Sequence, residues 1–393
     1  MTAAPPSASA CAPAQRKPRL VFLVTEYYFF HAMRKDLASA ATRAAFDVHV
    51  VAYRGGSPGL APDSDFHVVD FPWRRSKTLL QAALQFLPEL RRVKRLLAEL
   101  KPDILHNIAL KPAIIGSLCA PTGARIVNTL TGFGFLFYAR SLIARLAQAF
   151  SAGVLRRVGW DGGILVVHNA VDARRAVERL AIPSANIRLI RGLGLDTAHF
   201  APLPPPPAER PFRFLVITRL LYMKGVHVAV AAHQRLAAQG LAAELVICGS
   251  VDPENPSSIP QETLDRWAAL PGITFLGQIA DVRTAIGQAH VVVHAALGGE
   301  GLPRVLLEGS ACARPLIATD VSGNSDIVVN GETGLLVKPD DPQALAEAME
   351  WMMRYPEARE RFGAAGRARV IAEFASSHVA SDYDALYRDL AAR

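Results

Sequence analysis

The sequence predicts an α/β protein of two domains, each a parallel sheet covered by helices. Short Val- and Ile-rich runs alternate with helical stretches from one end to the other, the pattern that parallel sheets with crossover helices produce. At 393 residues the chain exceeds one ordinary hydrophobic core. Pro204-Pro205-Pro206-Pro207 interrupts the alternation near its middle; four successive prolines can form neither helix nor inner strand, so they read as a stiff extended spacer.

In order along the chain, Met1–Pro18 is rich in Ala, Pro and Ser and is expected to be disordered. Strands are expected at Arg19–Val24, Phe46–Ala52, Ile104–His106, Arg125–Thr129 and Ile164–Val167, because buried parallel strands are short and apolar. Helices fall at Thr78–Leu100, which Pro88 should break or kink, and at Ser141–Val158. Beyond the spacer, strands are expected at Phe212–Thr218, Glu244–Cys248, Ile273–Leu276, Val291–His294, Pro315–Ala318 and Gly334–Val337. The implied division is a first domain over 19–200, a linker over 201–210 and a second domain over 211–374. The last stretch, about 375–393, could pack back on the first domain.

Composition narrows the class. Hydrophobic residues make up 51% and charged residues 20%, which fits a globular enzyme and not a disordered chain. Cys11, Cys119, Cys248 and Cys312 form no C-x-x-C, so neither a disulfide framework nor a zinc site is expected, and a reducing cytosol is. The apolar run Leu20–Val24 is too short for a signal peptide, and no stretch approaches a membrane span. Charge is unevenly divided. Residues 1–200 carry 26 Lys and Arg against 13 Asp and Glu; residues 201–393 carry 17 against 22. Such asymmetry points the first half toward an anionic partner.

Ligands of open α/β sheets bind beyond the carboxyl ends of the strands, and two motifs fall there. Glu300 and Glu308 stand eight residues apart across Gly301-Leu302-Pro303-Arg304, after the turn Gly298-Gly299. Pro303 suits a first helical position, so Glu300 should lie in the loop and Glu308 on the helix, with free N–H groups between them forming an anion site. Two carboxylates flanking an anion site match a ligand with hydroxyls at both ends and phosphates between, as in a nucleotide-sugar. After the first strand of the second domain, Arg219 and Lys224-Gly225 place two cations where a diphosphate could be neutralised.

These motifs, with Gly331-Glu332-Thr333-Gly334-Leu335-Leu336-Val337, resemble the retaining glycosyltransferases of family 4, which have two Rossmann-like domains facing a central cleft (the GT-B fold). The resemblance implies that Arg219 and Lys224 contact the donor diphosphate and that Glu308 accepts from the ribose hydroxyls. It places Glu300 by the donor sugar, with Gly299, Gly301 and the backbone of Leu302, Arg304 and Val305 holding phosphate and sugar. Family members need no metal, so the resemblance implies that no cofactor is needed. Pro102-Asp103-Ile104-Leu105-His106 with Lys111-Pro112 and Asn128-Thr129-Leu130-Thr131-Gly132 looks like the subgroup that adds a sugar, often an N-acetylhexosamine, to a polyprenyl-diphosphate-linked saccharide. A Gly-Gly loop common after the family's first strand is replaced by Glu26-Tyr27-Tyr28-Phe29-Phe30-His31.

His106, at the expected end of a strand, is a candidate to orient the acceptor. His31, Lys111, Thr131, Gly132, Trp73, Arg74 and Arg75 are the acceptor and membrane candidates. Basic residues mixed with apolar ones around Arg91–Arg95 and Leu142–Phe150 have the interfacial style of a protein lying on an anionic surface. The expectation is a cytoplasmic enzyme, peripheral on the inner membrane face, with a UDP-linked donor. A same-fold epimerase or hydrolase, or a transferase with a soluble acceptor, is the alternative. A dinucleotide dehydrogenase is excluded by the missing G-x-G-x-x-G, and no nucleic-acid-binding signature is present.

Overall fold

A computed structural model describes residues 16–55, 64–73, 79–132, 141–192, 194–207, 211–253, 255, 257–298 and 301–393. The first domain contains β1 (Arg19–Glu26), α1 (Tyr27–Arg43), β2 (Asp47–Tyr53), β3 (His67–Asp70), α2 (Leu79–Leu100), β4 (Ile104–Ile108), α3 (Leu110–Cys119), β5 (Arg125–Leu130), α4 (Leu142–Trp160), β6 (Ile164–Val167), α5 (Ala170–Leu180) and β7 (Ile187–Leu189). Its seven strands are all parallel, in the order β3-β2-β1-β4-β5-β6-β7. The second comprises β8 (Phe212–Ile217), α6 (Val226–Ala238), β9 (Ala243–Cys248), α7 (Gln261–Ala268), β10 (Ile273–Gly277), α8 (Val282–Gln288), β11 (Val291–His294), α9 (Arg304–Ala311), β12 (Leu316–Thr319), α10 (Asn324–Ile327), β13 (Gly334–Val337), α11 (Pro342–Arg354) and α12 (Pro356–Phe374). Its parallel order is β10-β9-β8-β11-β12-β13.

Both sheets are double wound, so order reverses beside β1 and beside β8, the crevices where such sheets bind ligands. Central strands are buried on both faces. Leu20 to Leu23 and Val291 to Val293 have no exposed surface, and each large apolar side chain so buried contributes about 1.5–3 kcal/mol.

The chain crosses between domains twice, and the crossings lie side by side. Leu195 donates to the Phe374 carbonyl and accepts from the Ser376 amide, both at 2.9 Å. Gly194 is at φ +75°, and a Cβ there would stand 2.6 Å from the Ser376 Cα. The second crossing delivers α13 (Ser376–Ala392) onto the first domain. There Val379, Tyr383, Leu386, Tyr387 and Leu390 join the core of β1, β2 and α1.

Two local expectations are corrected and one is extended. Helix α2 runs unbroken through Pro88. The proline-rich segment, expected as a stiff extended spacer, is also pinned to the second domain: buried Arg314 donates to the Leu203 carbonyl at 2.9 Å and to the Pro204 carbonyl. Pro303 is the N-cap of α9, with ψ 118°, and Arg304 is its first helical residue.

Candidate active site at the domain junction

The loops after β8 and β11, neighbouring strands, are tied together. The Leu297 amide donates to the Met223 carbonyl at 2.9 Å. Gly225 takes φ +69°, and a Cβ on it would lie 1.8 Å from the Ala295 carbonyl oxygen, so only glycine fits this approach. The tie places Lys224, which ends a short 3-10 turn, beside the loop that leads to α9. Arg219, two residues beyond the end of β8, is half exposed and donates to Asp252 at 3.0 Å. The two cations thus stand beyond the carboxyl edge of one sheet, with Arg219 held by the Asp252 carboxylate.

Glu308 lies on α9, 6% exposed, and Arg304 one turn earlier donates to its Oε1 at 2.6 Å. Burial pushes the Glu308 carboxyl above the ordinary range, and Arg304 offsets part of that rise. The pair supplies a carboxylate acceptor and a guanidinium at the start of one helix, where the dipole also favours negative charge. Leu302 is half-buried and Val305 buried. Glu300 and Gly299, expected beside them, lie outside the described residues.

The first domain meets this helix directly. A Cβ on Gly301 would stand 2.3 Å from the Thr131 carbonyl oxygen and 3.3 Å from the Gly132 amide, so the two loops touch backbone to backbone. Asn169, the N-cap of α5, is 1% exposed. Its amide donates to the Gly301 carbonyl at 3.1 Å, and its Oδ1 accepts from Ser322 at 3.0 Å. Asn169 was not among the sequence candidates. Its signal was available, since an Asn between an apolar strand and a helix is a capping position.

Ala109 was also missed. It joins β4 to α3 at φ 77°, ψ 165°, a region that only glycine occupies readily, and such strain costs about 1–3 kcal/mol. Its amide donates to the Thr129 carbonyl at 2.9 Å, holding the turn at the cleft edge of the sheet.

Other candidates are displaced. His106 is not at the strand end: β4 continues to Ile108. His106 is wholly buried, with Nδ1 bonded to the Tyr387 hydroxyl and Nε2 to Thr129, each at 2.7 Å. Burial first, then the Arg34 charge, hold its pKa well below the usual value, so it is a neutral core residue with both nitrogens engaged. Trp73 is 8% exposed and packs in the core against Phe71, which removes it from any surface role. Lys111 pairs with buried Glu89 at 2.8 Å and lies over the Trp73 ring. His31, half-buried on α1, sits 5.8 Å from the Tyr27 ring. Arg74 and Arg75 lie outside the described residues.

Against this geometry the comparisons with known proteins are specific. Residues 204–369 match the model described as glycosyl transferases group 1, and residues 19–154 match glycosyl transferase 4-like. The chain is a glycosyltransferase. It is 24% identical over 356 residues to the capsular polysaccharide biosynthesis glycosyltransferase CapM of Staphylococcus aureus, covering 87% of this chain and 89% of that one. Sucrose-phosphate synthase from Thermosynechococcus elongatus superposes with a TM-score of 0.78 at 22% identity, over 96% of this chain and 100% of that one. Anabaena HepE in complex with UDP gives 0.75 at 16% identity, over 94% and 100%. These likenesses fix the fold of the glycosyltransferase as GT-B, two parallel-sheet domains.

The glycosyltransferase also carries an uncommon surface. On α4, Leu142, Ile143, Leu146 and Phe150 are 50–73% exposed, and on α2 so are Leu80, Leu84 and Leu87, at 50–71%. Phe86 and Phe150 meet edge to face at 5.8 Å and join the two helices. Arg91, Arg92, Lys94, Arg95, Arg145, Arg156 and Arg157 are exposed on the same helices. Among the described residues no helix is long and apolar enough to cross a membrane.

Proposed function

We propose that the protein transfers a hexose or N-acetylhexosamine, with retention of configuration, from a UDP-linked donor to a polyprenyl-diphosphate-linked saccharide, in assembly of a surface polysaccharide. The observation that carries this reading is the tie between the loops after β8 and β11, Met223 to Leu297 and Gly225 against Ala295, which sets Lys224 beside the loop that leads to α9. The capsular polysaccharide relative and the UDP-bound structural neighbour support the pathway class and the nucleotide.

In this reading Arg219 and Lys224 stabilise the charge that develops on the departing diphosphate, which is where an interaction accelerates the reaction. Glu308 accepts from the ribose hydroxyls and Glu300 orients the sugar. The acceptor hydroxyl attacks the face that the diphosphate leaves, and the diphosphate takes its proton, so neither a metal nor a strong protein base is required. The exposed apolar and basic residues of α2 and α4 rest on the anionic inner face of the cytoplasmic membrane, each cation there adding about 1 kcal/mol.

A panel of UDP- and GDP-sugars, assayed for nucleoside diphosphate release with and without a polyprenyl-diphosphate saccharide, tests the assignment. Release that depends on the lipid acceptor, with product anomeric configuration matching the donor by NMR, is expected. Equal release without acceptor would indicate a hydrolase and overturn it.

A further inference from the structure

The opposite edge of the first sheet holds a cluster that the transfer reaction does not use. Side chains two apart on a strand share a face, and register partners on parallel strands point the same way. Asp47 and His49 are two apart on β2; Arg19 on β1 is the register partner of Asp47, and His67 on β3 is the partner of His49. All four therefore stand on one face, near the amino-terminal ends of the strands, away from the cleft edge.

Their contacts are convergent. Arg19 Nε donates to Asp47 Oδ2 at 2.7 Å, which leaves Oδ1 for the imidazoles. His49 Nε2 lies 3.1 Å and His67 Nε2 3.8 Å from that one oxygen, and the three ligand atoms all fall within 4.8 Å of one another. The rings stack at 4.8 Å between centroids, and both Nε2 atoms approach the same carboxylate oxygen. In a tetrahedral zinc site, with bonds of ~2.0–2.1 Å, ligand atoms are separated by about 3.3 Å. The two oxygen–nitrogen separations bracket that value, the two nitrogens lie within 4.8 Å of each other, and His67, with a side chain 71% exposed, can close the remainder by rotation.

We propose that Asp47, His49 and His67 bind a borderline divalent transition-metal ion of the Zn²⁺ type. Two imidazoles and one carboxylate suit Zn²⁺, Ni²⁺ or Cu²⁺ and not Mg²⁺ or Ca²⁺, which prefer oxygen donors. Arg19 acts from outside the site, fixing the carboxylate as outer partners of metal ligands do. The bound ion would clip the four-residue edge strand β3 to β2, and it has no part in sugar transfer.

Isothermal titration of the tag-free, chelator-treated full chain with ZnCl₂, beside a MgCl₂ titration, reads the site directly. One saturable zinc site with no magnesium heat is expected, together with a rise in melting temperature on zinc addition. His67→Ala, at an exposed position where truncation leaves the core untouched, should weaken zinc at least ~10-fold, since even outer partners are worth ~10–100-fold. Replacing zinc by Co²⁺ should give visible absorption bands that His67→Ala alters. Absence of a stoichiometric zinc site in the wild type, or unchanged affinity and unchanged cobalt spectrum in His67→Ala, would overturn the proposal.

Discussion

His106 and Tyr387 are 281 positions apart and share a 2.7 Å hydrogen bond inside the first domain. Both are wholly buried, and Phe22 packs against each ring. The last helix is therefore a structural part of the domain made first. Tyr387→Phe leaves a buried imidazole nitrogen without its partner and should lower stability by about 1–3 kcal/mol. Tyr387→Ala removes the ring as well and should cost about 3–5 kcal/mol. Urea unfolding followed by fluorescence measures both.

Acid should loosen the same domain. His168 donates through Nδ1 to the Ile190 carbonyl at 2.8 Å and receives Arg34 at Nε2. Burial, then the Arg34 charge, depress its pKa to about 4. The unfolded chain, with an ordinary value near 6.5, therefore binds a proton that the folded chain refuses between those limits. Stability from this group is complete above about pH 6.5 and is lost as pH falls toward 4, on the order of 3 kcal/mol in total. Urea midpoints at pH 7.5, 6 and 5 should fall in that order; a flat series would contradict the assignment.

Gly301→Ala tests the contact between domains. The new methyl would meet the Thr131 carbonyl at 2.3 Å, so the two loops must part. The expected result is a drop in kcat/KM of about tenfold or more, in line with the sensitivity of catalysis to ~1 Å misplacements, while the melting temperature changes little.

Ala109→Gly should act in the opposite sense on stability. Relief of about 1–3 kcal/mol of backbone strain exceeds the ~0.5–1 kcal/mol entropic cost of glycine. A higher urea midpoint is expected, and a lower one would show that the turn is not strained.

Glu308→Gln should raise the donor KM about 10-fold or more, as loss of a hydrogen bond to a charged group implies, and should free Arg304 from its 2.6 Å bond. Steady-state kinetics over a UDP-sugar series, at constant acceptor, separates this from a loss of kcat.

The central strands, the alternation and the Glu308 helix were legible because apolar runs and turn residues are local signals. Edge strands were not. His67–Asp70 is four residues of mixed polarity and Ile187–Leu189 is three, too short for a period to register. His106 misled because it reads as the end of its strand, which continues to Ile108, and because its partners, Thr129 and Tyr387, come from other elements. Trp73 misled because the adjacent Arg74 and Arg75 made it read as interfacial, and Lys111 because of its motif, whereas in the fold Lys111 lies over the Trp73 ring and pairs with buried Glu89. Asn169 was overlooked because its role needs the second domain to be in place.

The return of α13 to the first domain sets a schedule for biosynthesis. Leu189, the last strand residue of that domain, leaves the ribosome nearly two hundred residues before Tyr387. At ~5–20 residues per second, the nascent domain waits roughly 10–40 s with the groove for Tyr383 and Tyr387 uncovered. The second domain, whose strands and covering helices are contiguous from Phe212 to Phe374, can complete its core during that interval. The domain encoded second is then finished first, and a stalled or truncated chain would expose apolar surface on the half that carries most of the positive charge.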